Sequence, residues 1–282
     1  MSIPKKSLHL RISKIYASVF AAIAEKPALF MPFVVFALLE VVVLGASYIA
    51  PRQPFVTVFG PIIRTLWGEK FLHYPAHFLL IPKLMYNARM VLAVVFGSLL
   101  SGIAVTMFYK KTFDTLFKKY FALFLVVLLN VSIFWGFSKI LTWGLIRYFM
   151  TGRTRLLFMK AGIWLGPMFP IIGFFMSLFI QSFFVYAIPI IIKKDEKVLK
   201  SIIASFIFFK KNILVTLILL GLPMLIYVPM IVLSYNTAFL MYTLFPEVVL
   251  LLSIANIGIT SLVIDPLVTL STAYLYKEQN AQ

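Results

Sequence analysis

Charged and amide side chains are rare inside the apolar stretches of this sequence, so each one is a candidate for chemistry. Glu40 lies about 11 residues into the stretch 29–50, roughly 16 Å along a helix. A carboxylate at that depth is costly and usually faces a cavity or a partner. We expect Glu40 to contact other helices. It is either a proton or ligand site, or a neutral, hydrogen-bonded acid that fixes helix packing.

Two asparagines lie at a comparable depth in other apolar stretches. Asn130 and Asn256 are therefore candidate partners for Glu40. Amides in membrane helices also hydrogen-bond neighbouring helices with no further role. The functional hypothesis is a polar pocket around Glu40, Asn130 and Asn256, and the alternative is interhelical packing alone.

A second polar group lies towards the other ends of the apolar stretches. Asp265 precedes Pro266, which cannot donate a backbone hydrogen bond and frees a carbonyl one turn back. Gln181 lies at a similar depth. The pattern predicts either a polar entrance to a cavity or an N-cap-like carboxylate at a break in the last helix.

Patterns for catalysis or metal binding are weak. Glu69, His73 and His77 are spaced four apart and would suit zinc on one helix face, but Pro75 lies between the histidines. The sequence contains no cysteine, which excludes disulfides, thiolate metal sites and cysteine nucleophiles. It also has no glycine-rich phosphate loop and no recognisable Ser/His/Asp set. We expect no metal, no cofactor and no enzymatic activity.

The elements that must hold these side chains are apolar helices. Of the 282 residues, 62% are hydrophobic and 12% are charged, whereas a soluble domain has about a quarter charged. Uncharged runs of about 20 residues or more are typical of membrane spans. The sequence predicts an all-α polytopic membrane protein, one membrane domain over residues 1–282. Its six transmembrane helices are expected at about 29–50, 90–109, 120–143, 162–192, 213–234 and 248–276.

Two basic amphipathic segments are expected to lie in the lipid headgroup layer. One covers residues 1–26, and the other is the linker 193–212 between the fourth and fifth spans. The apolar stripe of the linker is Val198, Leu199, Ile202, Ile203, Phe206 and Phe209, and the residues expected largely on its other side are Lys197, Lys200, Ser201, Ser205 and Lys211. The lysines expected to contact anionic headgroups are Lys193, Lys194, Lys197, Lys200, Lys210 and Lys211.

The distribution of basic residues predicts partner and orientation. The formal net charge is +17, and the basic residues lie mostly at the ends of apolar runs, which favours anionic phospholipid over nucleic acid. The side with both termini carries 16 of the 26 Lys and Arg residues, against nine on the other side. The excess predicts a multi-pass protein of the cytoplasmic (inner) membrane with cytoplasmic termini. Arg89 is counted here as the end of an outer loop, 51–89.

Short motifs around the linker and the last span carry a family resemblance. They are Pro189, the charged turn Lys193 to Glu196, Ser205 and Asn212, and then Pro266, Thr269, Ser271, Thr272, Ala273, Leu275 and Tyr276. In these the chain resembles a family of bacterial six-helix integral membrane proteins. That family includes the membrane region attached to some glycerophosphoryl diester phosphodiesterases, and uncharacterised relatives. The resemblance implies a membrane protein without chemistry of its own, because the catalytic domain of the attached type is absent from this sequence.

Three functions follow from these patterns. The first is a non-catalytic membrane protein with an accessory, lipid-contacting or transport-related role, and a protein partner in the membrane stays open. The second is a small-solute or lipid transporter with the polar pocket described above. The third is a membrane-embedded lipid-modifying enzyme, for which no nucleophile or metal set is visible. Proline-interrupted fourth and fifth spans favour transport.

Overall fold

A computed structural model describes residues 5–150 and 171–280, which form helices joined by short turns and contain no strand. In chain order the α-helices are α1 (Lys5–Glu25), α2 (Met31–Ile49), α3 (Val56–Trp67), α4 (Leu80–Leu92), α5 (Ser98–Phe108), α6 (Phe113–Met150), α7 (171–184), α8 (Ala187–Lys194), α9 (Val198–Lys211), α10 (Ile213–Leu225), α11 (Val228–Tyr235), α12 (Thr237–Thr243), α13 (Val248–Ile257) and α14 (Asp265–Gln279).

Five helical segments in the described ranges are long and apolar enough to cross a membrane. They are Pro27–Ile49, Ala76–Phe108, Leu116–Leu141, Ile171–Lys194 and Val248–Gln279. The pair α9 and α10, bent by 97°, brings the number to six when it is counted as one span. The predicted class, an all-α polytopic membrane protein, is confirmed.

The second span begins at Ala76 and not near Met90, which corrects the predicted boundary. It runs for 33 residues to Phe108 through a π-helical segment, Ala93–Gly97. The prolines before Met90 do not break it. Pro75 precedes its first turn, and Pro82 is the third residue of α4, where a missing N–H costs little. Arg89 therefore lies inside the span.

The later spans are broken near prolines. The predicted span 162–192 is described from Ile171 onwards, and residues 151–170 lie outside the described residues. A turn separates α7 from α8, whose third residue is Pro189. The predicted span 213–234 corresponds to α10 and α11, which a two-residue turn separates between Pro223 and Pro229.

Helix α1 packs against α10 and α14, so both described ends of the chain meet at one end of the bundle, which we call the termini end. Ile12, Ile15 and Val19 form its buried face. Its Tyr16 hydroxyl donates a 3.0 Å hydrogen bond to the Leu219 carbonyl. The opposite end, which we call the far end, carries α3 and α12.

Helix α9 also lies at the termini end, and its serines face the bundle, whereas the lysines expected on the same side of the helix are exposed. Ser201 and Ser205 are fully buried, and Ser205 donates a 2.6 Å hydrogen bond to the Phe183 carbonyl of α7. From the predicted stripe, Leu199, Ile203 and Phe206 are exposed. The small serines allow α9 to approach the bundle closely, which leaves these large apolar side chains facing outward.

Candidate functional site

The site begins with a buried ion pair between α2 and α4. Glu40 is fully buried, and its Oε1 atom lies 2.9 Å from Nε of Arg89. Ser261 donates a hydrogen bond to the other carboxyl oxygen, Oε2. Among the residues that the structure describes, none makes a well-aligned hydrogen bond to Oε1, so the Arg89 contact is mainly ionic. The pair satisfies a carboxylate that would otherwise be isolated in an apolar bundle.

Two π-helical segments flank this ion pair. Arg89 lies just before the segment Ala93–Gly97, and Ser261 lies within the segment Gly258–Ile264. A π turn adds one residue and changes the direction of the side chains that follow, and such turns are frequent at functional sites. These two irregular spans therefore supply both contacts of Glu40.

The sequence predicted neither contact of Glu40. Arg89 was assigned to an outer loop because prolines precede it. The apolar residues on both sides of it were the signal that could have placed it in a span. Ser261 is one of many hydroxyl residues, and no sequence pattern singled it out.

A cavity of about 220 Å³ opens beside the ion pair towards the far end, and we call it the far cavity. Glu40 and Arg89 line it, and the Arg89 side chain is 28% exposed. The other polar side chains of its wall are Tyr86, Tyr227, Ser234, Thr237, Ser253 and Asn256. The wall of the far cavity is therefore partly polar, and it includes the charged pair Glu40 and Arg89.

A second cavity of about 240 Å³ lies on the side towards the termini end, and we call it the near cavity. Phe33, near the start of α2, and Pro189, in α8, are among its lining residues. Its polar side chains are Ser101, Asn130, Gln181, Asp265, Thr269 and Thr272. The two cavities thus approach the middle of the bundle from opposite ends.

Asp265 connects the near cavity to the ion pair. It is partly exposed at the cavity wall and interacts electrostatically with both Arg89 and Glu40. The N-cap position of α14 is Ile264, and Asp265 is the first residue of the helix, directly after the π-helical segment. Within residues 5–150 and 171–280, no group donates a hydrogen bond to its carboxyl. Both carboxyl groups therefore lie within electrostatic range of the same guanidinium.

The predicted polar pocket is divided between the two cavities. Glu40 and Asn256 line the far cavity, whereas Asn130, Gln181 and Asp265 line the near one. Oδ1 of Asn130 and Oδ1 of Asn256 are both buried and have no hydrogen-bond partner in the described part of the chain. Gln181 donates a 3.3 Å hydrogen bond to Ser177, one turn earlier. The two buried amide oxygens are unused acceptors beside the cavities.

The linker lysines differ in their surroundings. Five of them are exposed: Lys194, Lys197, Lys200, Lys210 and Lys211. Lys193 is half-buried, and its Nζ lies 5.5 Å from the centre of the Tyr276 ring. Exposure leaves the five free to meet a charged surface, whereas Lys193 packs on an aromatic ring.

Two lysines of the α5–α6 region have a structural role that the sequence did not reveal. Lys111 Nζ donates to the carbonyls of Ile192 and Lys193 at 2.7 and 2.9 Å. Lys119 Nζ donates to the Ile191 carbonyl at 3.0 Å and lies 2.7 Å from a carboxyl oxygen of Asp195. These two cations donate hydrogen bonds to the unpaired carbonyls at the end of α8, and their positive charge interacts favourably with the helix dipole there.

The Glu69, His73 and His77 spacing does not form one helix face. Arg64 donates a 3.0 Å hydrogen bond to Glu69, and the ring of His77 packs against that of Phe78 with ring centres 4.3 Å apart. Across the described part of the chain, no group of three such side chains could hold a metal ion.

No protein-family model, no curated protein and no solved structure matches this chain. The resemblance to the six-helix family therefore stays a prediction, and function has to be argued from the chemistry of the site.

Proposed function

We propose that this polytopic membrane protein transports a small solute and that the Glu40–Arg89 ion pair is the barrier between its two cavities. The observation that carries this proposal is a buried ion pair with one cavity towards each end of the bundle. Ionisable groups inside membrane spans are expensive and commonly mark solute or ion pathways. A purely structural core would be built more cheaply from apolar side chains.

The shape of the spans supports the same function. Transporters often use interrupted helices near the middle of the membrane, whose parts move relative to each other. Here the breaks lie between α7 and α8 and between α10 and α11, and π-helical segments interrupt the two spans that contact Glu40. Each cavity is below the range of about 300–1,000 Å³ that is typical of drug-sized ligands, which favours a small solute over a whole lipid.

The same proposal places the termini end in the cytoplasm of a cytoplasmic membrane. With Lys83 and Arg89 both inside the span Ala76–Phe108, the Lys and Arg count of the far side falls from nine to seven, against 16 on the termini side. Its exposed lysines lie beside exposed Leu199 and Ile203 of α9, a surface suited to anionic headgroups and acyl chains. The near cavity then opens to the cytoplasm. The proposal includes no catalytic step, no cofactor and no nucleic acid.

Because the chain has no cysteine, single cysteines can be introduced without background labelling. We would place Ser101→Cys in the near cavity and Ser253→Cys in the far cavity, and label sealed vesicles of known orientation with a charged maleimide. Each is expected to react from its own side only. Adding Glu40→Gln, which weakens the barrier, is expected to raise labelling of one cysteine and lower that of the other.

Leu38→Cys is the matched control, because Leu38 is 59% exposed on the outside of α2 and would face lipid. A charged reagent is expected to leave it unmodified. Labelling of both cavity cysteines at the rate of Leu38→Cys would overturn the transport proposal.

A further inference from the structure

We propose, on the basis of the transport function proposed above, that the core holds one exchangeable proton and that Arg89 alternates between Glu40 and Asp265 as this proton moves. The transport cycle would then be coupled to protons. Three groups carry the mechanism: the guanidinium of α4, the carboxyl of α2 and the carboxyl at the start of α14.

The charge balance of these groups requires the proton. Arginine stays protonated in proteins, so Arg89 supplies one positive charge. Glu40 has that charge at 2.9 Å and accepts a hydrogen bond from Ser261, so its carboxyl and Arg89 form a paired unit. Asp265 receives no hydrogen bond within the described ranges. Ionising it as well would leave an unbalanced negative charge in an apolar bundle, so Asp265 is the protonated acid in this arrangement.

The elements packed on α14 are α1, α5, α8 and α10, together with the π-helical segment before it, and of these α5, α10 and the segment carry no charged side chain. The lysines of α8 are its last two residues, Lys193 and Lys194, at the termini end. Arg11 of α1 pairs with Glu278, 3.8 Å away, near the other end of α14. Tyr227 is the further titratable group that interacts with Arg89 and Glu40, and it is neutral at physiological pH.

The cavities give the two carboxyl groups access to opposite sides. Asp265 lines the near cavity and Glu40 lines the far cavity. When the O–H bond of Asp265 breaks, its proton leaves through the near cavity and the new carboxylate attracts Arg89. Glu40, released from Arg89, forms an O–H bond with a proton from the far cavity. The core holds one proton and no net charge before and after the exchange.

Ser261 can form a hydrogen bond with Glu40 in both its ionised and its protonated state. A hydroxyl donates to the ionised carboxylate, as it does here, and it can accept from the protonated acid after rotating its own O–H. The cycle closes when the proton passes from Glu40 to Asp265 and Arg89 returns to Glu40. One proton then crosses from the far side to the termini side in each cycle.

Infrared spectroscopy tests the proton count without a transport assay, because a protonated carboxyl has its own C=O stretch. At about pH 7 exposed carboxyls are ionised, since their pKa is about 4. The wild-type protein should show one protonated acid. Arg89→Gln should show two, because both acids lose their counterion. Glu40→Gln and Asp265→Asn should each show none, because Arg89 then pairs with the remaining carboxylate.

Asp114→Asn is the matched control, since Asp114 is exposed at the start of α6, and it should retain the single protonated acid. A wild-type protein without this band would overturn the proposal, and that result needs no variant to fold. If the band appears only when sodium is removed, a sodium ion and not a proton balances the second carboxylate, and this result would overturn the proposal as well. Cysteine labelling decides the transport function separately, so the two proposals can fail independently.

Discussion

At Glu40, two contacts offset the cost of a carboxylate inside the bundle, and they come from residues far apart in the chain. Arg89 provides charge, and Ser261 provides a hydrogen bond across a separation of 221 residues. The removal of one partner of a buried pair generally costs more than the removal of both, because a lone charge remains. The contribution of this pair is therefore best measured with single and double variants.

We expect Arg89→Met to lower the free energy of unfolding by about 3–5 kcal/mol, because Glu40 is left without a counterion. Glu40→Gln combined with Arg89→Met should recover most of the stability. Thermal unfolding in detergent measures both effects, with exposed Lys14→Met as the control. A double variant as unstable as Arg89→Met would contradict this account.

Asp195 offers a pH-dependent test at the end of α8. The hydrogen bond and charge of Lys119 hold the pKa of Asp195 below its ordinary value. The stabilisation from this pair is thus complete above the unfolded-state pKa of about 3.9 and is lost as pH falls through the lower, folded-state value. Asp195 is largely exposed, so the effect is small.

The matched substitution is Asp195→Asn, because asparagine tolerates the left-handed backbone that this residue adopts at φ 64°. The difference in unfolding temperature between wild type and variant should be constant near neutral pH. It should disappear in strong acid. A difference that persists at the lowest pH would show that Lys119 does not stabilise Asp195 through its charge.

Among the elements, α9 connects two spans through one specific contact. Ser205 donates to the Phe183 carbonyl of α7, whereas Ser201 donates within α9 to Val198. Both serines are fully buried on the same face. Substitution of each serine in turn therefore distinguishes the attachment of α9 to α7 from the stability of α9 itself.

We expect Ser205→Ala to cost about 1 kcal/mol and to loosen α9 from the bundle, because the Phe183 carbonyl loses its donor. Ser201→Ala removes the same atom, but its hydrogen bond is to Val198 within α9. Hydrogen exchange of the amides in 198–211 should therefore speed up in Ser205→Ala and much less in Ser201→Ala. Equal effects of the two substitutions would argue against docking through Ser205.

The close packing of α5 against α6 gives a second prediction at this scale. A Cβ atom on Gly102 would lie 2.7 Å from Cδ1 of Leu123 and 2.8 Å from Cδ1 of Leu116. Gly102→Ala should destabilise by about 1–3 kcal/mol through overpacking. Gly136→Ala, where a Cβ meets nothing within 4 Å, should be neutral or slightly stabilising. Detergent unfolding midpoints compare the two, and a neutral Gly102→Ala would contradict the packing described.

For the whole molecule, the proposed orientation has a direct test. Reporter fusions after Gln282 should give a cytoplasmic signal, and fusions within 235–247 should give an external one. The physical reason is the excess of Lys and Arg at the termini end. A cytoplasmic signal from the 235–247 fusion would reverse the topology and, with it, the direction assigned to the two cavities.

The sequence by itself determined the helical membrane class, the presence of α1 and α9, and the depth of Glu40. These properties depend on local apolarity and helical periodicity, which a single stretch of chain carries. It could not determine that Arg89 lies in a span, because a proline interrupts a helix or begins one according to its position in the first turn.

The tertiary structure alone decided which polar groups meet. Counting residues predicts how deep a side chain lies but not how its helix is rotated, and the π-helical segments change that rotation. Asn256 therefore lines the cavity of Glu40, whereas Asn130 faces the other one. The same reasoning applies to Asp265 and Arg89, which interact electrostatically because α4 and the π-helical segment before α14 both lie beside α2.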